Sequence, residues 1–213
     1  MNIITRKALL LAAPVPPTPR ETRILIRLED PASLVWGMSG ITLAEGCART
    51  VINWGDGTTT ELTATGEVAH AYDRTGEYEV RLSDDIGALK CSKRTGTSPY
   101  CAIYAPMIRK FRTNAAVLDA LSPDCFYNAV NFSSFTCEGS ALRTLGSLSF
   151  RGCEALVGRL DLPLVEDISA TAFNGSLGVT ELHFSAAKEA AITALSGFAT
   201  KFGAANAAIS FDL

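Results

Sequence analysis

The chain has 213 residues and a mass of 22.6 kDa, and 47% of its residues are hydrophobic. This length allows one large or two small domains, and the composition is that of a globular protein with a core. The net charge is −3, and the lysines and arginines are scattered along the sequence. This gives no electrostatic footprint for a nucleic acid or an anionic membrane surface, so we expect neither partner. No apolar run approaches the ~20 residues that a transmembrane helix needs.

Residues 1–20 predict an extended, Pro-rich N-terminal arm. Such a run favours polyproline geometry and cannot pair as a central strand. Arg6 and Lys7 precede an apolar stretch, as in a secretory signal, but the stretch is shorter than the usual ~7–15 residues and no small-x-small cleavage site follows. We therefore expect an uncleaved arm for self-association or docking on a neighbouring subunit, with a cleaved signal as the alternative. The apolar residues of the arm are Ile3, Ile4, Leu9, Leu10 and Leu11.

Residues 21–93 predict an antiparallel β-sandwich. Two segments, 22–29 and 76–82, alternate apolar and charged residues with period two, the signature of a half-buried strand. Shorter apolar runs at 34–36, 41–43 and 50–53 lie between them and are bounded by Gly, Ser or Asp. This succession is typical of a sandwich. The inward positions of the two long strands are Ile24, Ile26, Leu28, Tyr78, Val80 and Leu82.

The stretch Trp54-Gly55-Asp56-Gly57 predicts a hairpin turn. Asp-Gly is the dipeptide expected where a tight turn needs positive φ, and here it joins residues 51–53 to residues 58–62. His70-Ala71-Tyr72 and a Gly-x-Tyr-x-Val strand with Tyr78 follow. In this order and spacing, residues 22 to 92 resemble the polycystic-kidney-disease (PKD) domain family. The resemblance implies an immunoglobulin-like sandwich in which these residues have structural roles in the turn and core.

The second half contains an internal repeat of 23 residues. Residues 142–153 and 165–176 place the same residue types in the same slots, so that Phe150 matches Phe173 and Cys153 matches Ser176. We expect an earlier copy at residues 103–111, aligned with 160–168, and insertions between 114 and 139. That alignment pairs Pro106 with Pro163 and Phe111 with Ile168. In this earlier copy, we expect Phe126 to occupy the position that Phe150 has in the later one.

A repeat of this length with a Phe-x-Gly-Cys knuckle resembles the leucine-rich repeats of BspA-like bacterial surface proteins, over residues 100 to 184. The resemblance implies short strands in a curved stack, with Phe150, Cys153 and Phe173 pointing into its core. Residues 185–201 then show helical spacing behind a serine that can cap the first turn, and 209–213 alternate as a final strand. We expect both to cap the open end of a leucine-rich-repeat solenoid that spans residues 94–213.

The cysteines and acidic residues do not form a recognisable metal or cofactor site. There is no Cys-x-x-Cys pair and there are two histidines, so a zinc site is not supported and we expect buried free thiols. In an oxidising compartment, however, the six cysteines would allow fifteen disulfide connectivities. Asp84 and Asp85 lack the ligand ladder of a calcium loop. We therefore expect no metal and no cofactor.

No catalytic motif is present either, since the sequence lacks a Gly-x-Ser-x-Gly elbow, a phosphate loop and a His-Glu-x-x-His pair. We expect His70 to have a packing and hydrogen-bonding role and His183 to face solvent. The function that we expect is a non-enzymatic recognition or adhesion module that binds a protein or glycan ligand, extracellular at a bacterial cell surface, as both resemblances imply. The alternative is a structural, receptor-binding or decoration subunit of a phage or phage-like particle, located in the virion and docked through the arm.

Overall fold

The computed structural model describes residues 19–95 and 102–212. The fold is mainly β, with 41% strand and 10% helix, which confirms the expected class at this level. The expected contact residues of the arm, Ile3 to Leu11, lie outside the described residues. Within the described ranges, no helix has both the length and the apolar character needed to cross a membrane.

The strands follow one another through the whole described chain. In order they are β1 (Glu21–Leu28), β2 (Val35–Leu43), β3 (Thr50–Asn53), β4 (Thr59–Leu62), β5 (Gly66–Ala71), β6 (Gly76–Ser83), β7 (Ile86–Lys90), β8 (Lys93–Arg94), β9 (Ala102–Ile103), β10 (Ile108–Thr113), β11 (Ala120–Leu121), β12 (Ser134–Thr136), β13 (Thr144–Leu145), β14 (Gly158–Leu162), β15 (Asp167–Ile168), β16 (Val179–Phe184) and β17 (Ala208–Phe211). One short helix, α1, spans Glu189–Ala194, and 3-10 turns span Ala105–Met107, Ala186–Lys188 and Phe198–Gly203.

Two six-stranded sheets form the body of the protein. Sheet 1 has the order β12-β10-β1-β6-β3-β4, and sheet 2 has the order β15-β13-β11-β7-β2-β5. The early strands pair antiparallel, whereas three later pairs are parallel: β10 with β12, β11 with β13, and β13 with β15. Because β1 pairs with β10 and β7 pairs with β11, both sheets run across residue 93, where the two halves were expected to meet. The buried side chains of both halves belong to one hydrophobic cluster.

The period-two pattern of the first half produces the expected buried faces. Ile24, Ile26 and Leu28 of β1 are at most 1% exposed, and the inward residues of β6 are also buried. Burying a large apolar side chain contributes about 1.5–3 kcal/mol, so these rows fix which face of each strand lies inward. The separate strands expected at 34–36 and 41–43 are wrong, because β2 runs through both. A bulge between Met38 and Ile41 interrupts its alternation, which is why the sequence reads as two strands.

The Gly-Asp-Gly hairpin is confirmed. β3 and β4 pair antiparallel, and the Trp54 amide donates to the Thr58 carbonyl at 3.1 Å. Gly55 and Gly57 have φ of 83° and 94°, in the region that favours glycine. They differ in their surroundings: a Cβ on Gly55 would lie 2.8 Å from the Glu79 carbonyl oxygen, whereas a Cβ on Gly57 would meet nothing within 4 Å.

The second half is a stack of coils that pair through parallel strands, and its turns carry buried phenylalanines. Phe126, Phe150 and Phe173 pack in succession, with ring centroids 5.4 and 4.7 Å apart. The Cys153 thiol donates to the Phe126 carbonyl at 3.3 Å, and the Ser176 hydroxyl donates in the same way to the Phe150 carbonyl. The shared slots of Phe126 with Phe150 and of Cys153 with Ser176 are therefore confirmed.

The alignment of residues 103–111 with 160–168 is wrong. Phe111 lies in β10 of sheet 1, opposite Phe135, whereas Ile168 lies in β15 of sheet 2. The two prolines are not equivalent, because Pro106 lies in a 3-10 turn before β10 and Pro163 follows β14. The region from 114 to 139 is part of the stack, since β11 and β12 lie within it and pair in register with β13 and β10.

The C-terminal residues close the stack, but not as one helix. Ser185 accepts from the Ala187 amide at 3.4 Å, which confirms the expected cap. α1 then ends at Ala194, and Phe202 takes a φ of 54°. The Phe202 carbonyl accepts from the Phe173 amide at 2.9 Å, so the buried Phe202 is tied by its backbone to the preceding coil. β17 (Ala208–Phe211) follows as the expected final strand.

Candidate binding face

The outward surface of β6, β1, β10 and β12 continues onto a third sheet, which is parallel and has the order β14-β16-β17. We call this surface the binding face. The two sheets adjoin where the Cys137 thiol donates to the Asp161 carbonyl at 3.4 Å. A cleft of about 410 Å³ opens at this junction. It is lined by Phe135, Thr136, Cys137, Glu138, Arg159, Asp161, Leu162, Pro163, His183, Ser185 and Asp212.

The charged groups of the cleft result from the alternation of β14 and β16. Leu160 and Leu182 are buried, so their neighbours Arg159, Asp161 and His183 point outward on adjacent strands. Arg159 Nε lies 2.7 Å from Asp161 Oδ1. Burial raises the pKa of Asp161, but hydrogen bonds from Arg159 and His183 outweigh this effect and hold the pKa below its usual value. Asp161 is therefore a carboxylate at neutral pH.

His183 bridges two carboxylates. Its Nδ1 lies 2.9 Å from Asp161 Oδ1, and its Nε2 lies 2.6 Å from Asp212 Oδ1. Arg159 Nη2 is 2.6 Å from the same Nδ1, so the protonation of the ring decides whether Nδ1 donates to Asp161 or accepts from Arg159. His183 lies on the outward face, but these neighbours leave 13% of its side chain exposed, so the expectation of a solvent-facing ring is corrected.

A row of arginines crosses the other end of the binding face. Strand register places Arg81, Arg23 and Arg112 abreast on β6, β1 and β10. Like charges directly opposite each other are destabilising in a sheet unless they are compensated. Glu79 compensates two of the three, since its Oε1 lies 3.4 Å from Arg23 and 2.7 Å from Arg81.

Arg112, the third arginine of this row, shares the outward face of β10 with Lys110. Both are exposed, and among residues 19–95 and 102–212 neither has a carboxylate partner within 4 Å. Together with the hydroxyl residues Ser134 and Thr136 they line a groove of about 320 Å³. The groove is also lined by Arg23 and Glu79, so cations outnumber carboxylates there. In the cleft the carboxylates predominate, since Glu138, Asp161 and Asp212 line it together with Arg159 and His183.

The residues singled out in the hairpin motif come together away from the binding face. The Trp54 ring stacks on His70 with centroids 5.0 Å apart, and the Tyr72 ring meets His70 edge-on with centroids 4.6 Å apart. His70 Nε2 lies 2.7 Å from Asp56 Oδ2, and the Tyr72 hydroxyl donates to the Trp54 carbonyl at 3.1 Å. Tyr78 adjoins Tyr72 with ring centroids 4.2 Å apart. These contacts tie the turn to strands β5 and β6.

The charged residues of the binding face were missed in the sequence, although a signal for them exists. Asp161 and His183 are opposite each other in register on neighbouring coils, 22 residues apart. A repeat alignment that placed β14 over β16 would have paired them. The row of arginines has no such signal, because it depends on the pairing of β1 with β10 across the middle of the chain.

The acidic pair considered for calcium serves other contacts. Asp84 Oδ1 accepts from the Val117 amide at 3.2 Å, and Asp85 Oδ2 accepts from the Ser83 hydroxyl at 2.8 Å. Within the described part of the chain, no group of three or more His, Cys, Asp or Glu side chains is arranged to hold a metal ion.

Comparisons with known proteins give this chain no relative. No family model, no curated protein and no solved structure matches it. The binding face is characterised by its own chemistry: a basic groove on β10 and β12 and an acidic cleft around His183 lie side by side.

Proposed function

We propose that this protein is a non-enzymatic recognition module that binds a protein or glycan ligand through the binding face, at a bacterial cell surface. The observation that carries the proposal is the division of charge on one face. Arg112 and Lys110 present cations at one side of β12, and Asp161 and Asp212 present carboxylates at the other. Complementary charge on a partner gives specificity and a fast association rate.

The side chains of the cleft are suited to binding rather than to catalysis. A general base needs a ring nitrogen that can reach a substrate proton, and both nitrogens of His183 are already engaged. The thiol in the cleft, Cys137, is not activated, because burial and then the Asp161 charge raise its pKa to about 12. A thiol with so high a pKa carries almost no thiolate at neutral pH.

The ligand that fits this surface carries hydrogen-bonding groups and at least one anionic group. Paired planar side chains such as Arg159 and Asp161 can bind vicinal hydroxyl groups from both sides, as donor and acceptor. Arg112 and Lys110 can hold a carboxylate or sulfate, and the guanidinium can do so through two parallel hydrogen bonds. An acidic glycan and an acidic segment of a protein both meet this description.

The two halves support the finer assignment of the architecture. For a PKD-like sandwich, the support is the Gly-Asp-Gly hairpin with Trp54 buried beneath it and His70 and Tyr72 beside it. For a BspA-like solenoid, the support is the stack of coils with Phe150 and Cys153 in repeated inward slots. Domains of both kinds occur in surface proteins that adhere to other molecules, and we assign the chain to that setting.

A second candidate is a structural, receptor-binding or decoration subunit of a phage or phage-like particle, docked through residues 1–20. One observation favours it. Asn114 holds the start of the described chain on both sides, since its Nδ2 donates to the Pro19 carbonyl at 3.2 Å and its Oδ1 accepts from the Glu21 amide at 2.9 Å. The arm is thus anchored at a fixed point at the beginning of β1, as a docking arm requires.

The proposal is tested by binding of the full chain to arrays of neutral, sulfated and sialylated glycans and of extracellular matrix proteins. A double variant, Lys110→Gln with Arg112→Gln, should bind an anionic hit at least tenfold more weakly, and wild-type binding should fall with added salt because exposed charges are screened. Arg143→Gln is the matched control, since this arginine is 50% exposed beside β13 of sheet 2. Equal binding by the double variant and the control would contradict the proposal.

A further inference from the structure

Two buried cysteines meet where sheet 2 passes from the first half to the coils. Cys91 follows β7 and Cys125 follows β11, and these strands pair in parallel with Leu89 opposite Leu121. The Cys91 amide donates to the Cys125 carbonyl at 3.1 Å, and the next amide, of Ser92, donates to the same oxygen at 2.7 Å. The backbones of the two cysteines are therefore directly adjacent, which a disulfide requires.

The side chains of this pair share one buried environment. Cys91 and Cys125 are both 0% exposed. Burial and then the neighbouring Cys125 thiol raise the pKa of the Cys91 thiol, and both thiols are free in this structure. Neither thiol has another task in the site described above.

Cys153 is the competing partner for Cys125, and its contacts argue against it. Burial and then Cys125 raise the pKa of Cys153, so it also lies near. Its thiol, however, donates to the Phe126 carbonyl, and its amide bonds within its own coil to Phe150 at 3.2 Å. Ser176, which cannot form a disulfide, occupies the equivalent slot one coil later. This slot needs a hydrogen-bond donor, not a crosslink.

We infer that Cys91 and Cys125 form a disulfide when the protein folds in an oxidising compartment. The oxidant is a small disulfide such as oxidised glutathione. The Cys91 thiolate attacks one sulfur of the oxidant and releases one glutathione, and the Cys125 thiolate then attacks the mixed disulfide at the Cys91 sulfur and releases the second. The protein loses two protons and two electrons, which reduce the oxidant to two thiols. Because both sulfurs are buried in the folded chain, the exchange takes place before the first coil packs.

The bond would join two residues that are 34 positions apart in the sequence. The loop between them contains the crossing from the antiparallel strands to the coils. A crosslink of a long loop stabilises the native state mainly by restricting the unfolded chain. The disulfide would therefore fasten the first coil to sheet 2 without changing the binding face, and the inference does not depend on the proposed function.

The experiment is a disulfide map of the full chain. The protein is refolded with oxidised and reduced glutathione, alkylated in denaturant, and digested without reduction. Trypsin cuts at Lys90 and Lys93 and so isolates Cys91, and chymotrypsin cuts between Cys125 and Cys137. We expect a linked peptide that joins Cys91 to Cys125, with Cys153 alkylated. Alkylated Cys91 and Cys125, or a link from either of them to Cys101, Cys153 or another cysteine, would overturn the inference.

A second measurement distinguishes stabilisation by the Cys91–Cys125 disulfide from any direct effect of the reductant on Tm. Oxidised wild-type protein should show a higher Tm than protein refolded and kept in reductant. Cys91→Ala should show the same Tm in both conditions, because the alanine preserves a small buried side chain and removes one sulfur. A Tm difference of wild-type size in this variant would assign the stabilisation to another disulfide.

Discussion

The Asp56→Asn variant tests whether the hairpin turn is held by charge. Asp56 Oδ2 lies 2.7 Å from His70 Nε2, and its Oδ1 accepts from the Thr58 amide at 2.9 Å and from the Thr58 hydroxyl at 2.7 Å. Burial raises the pKa of Asp56, but the hydrogen bonds from His70 and Thr58 outweigh it and lower the pKa from 3.8 to about 2. Asparagine keeps the shape of the side chain and removes its charge.

The size of the effect follows from this shift. One pKa unit corresponds to about 1.4 kcal/mol, so the carboxylate contributes at most about 2.5 kcal/mol to the free energy of unfolding. Because 21% of the side chain is exposed, solvent screening reduces this, and we expect about 1–2 kcal/mol. The folded-state pKa is lowered, so the contribution is complete above the usual pKa near 4. It is lost as the pH falls through about 2.

The assay is thermal unfolding of wild type and Asp56→Asn, followed by circular dichroism at pH 7 and at pH 2. At pH 7 the variant should melt about 2–8 °C lower, since 1 kcal/mol corresponds to about 2–4 °C for a chain of this size. At pH 2 the two melting temperatures should converge. Asp73→Asn, at an exposed aspartate, is the control and should follow wild type at both pH values. A deficit in Asp56→Asn that stays the same at pH 2 would refute the reasoning, because a loss of charge cannot produce it.

Three further predictions concern packing. In urea unfolding, Gly57→Ala should lower the free energy of unfolding by about 1 kcal/mol, because alanine is strained at positive φ. Gly55→Ala should lower it several times more, because its Cβ would also clash with the Glu79 carbonyl. Equal losses in the two variants would contradict this. Phe150→Ala should cost about 3–5 kcal/mol in the same assay, since the ring packs between two others; a cost under about 1 kcal/mol would show that the stack is loose. Cys153→Ser should change stability by less than about 1 kcal/mol because the hydroxyl keeps the hydrogen bond, whereas Cys153→Val, which lacks a donor, should be clearly less stable.

The sequence predicts those features of the fold that have a local cause. Period-two alternation identified the buried faces of β1 and β6, and the Asp-Gly dipeptide identified the hairpin. The phenylalanine and cysteine slots could be read from the repeat because each coil buries the same positions. Where the local pattern is interrupted, the prediction is wrong: the bulge divides β2 in two, and the helix expected from the spacing of residues 185–201 ends at Ala194.

The binding face could not be predicted because its cause is not local. Arg23 and Arg112 are neighbours because of the register of β1 with β10, and the sequence around either residue does not indicate that pairing. Asp212 reaches His183 only after the chain has passed through the cap and returned as β17. Contacts between distant strands are set by the whole fold, so a charged residue in such a strand looks like an ordinary solvated position.

The pairing of the first half with the coils has a consequence for how the protein can evolve. A stack of repeats needs a protected first edge, and here β1 and β7 provide it in both sheets at once. Duplication or loss of one unit of 23 or 24 residues would then add or remove one strand at matching positions in each layer, while both ends of the molecule stay intact. Each added unit would widen the binding face by about 4.8 Å, the spacing between strands. Relatives that differ in length by whole units would therefore differ in the reach of the same surface, and selection could adjust ligand size by repeat number before it changes any contact residue.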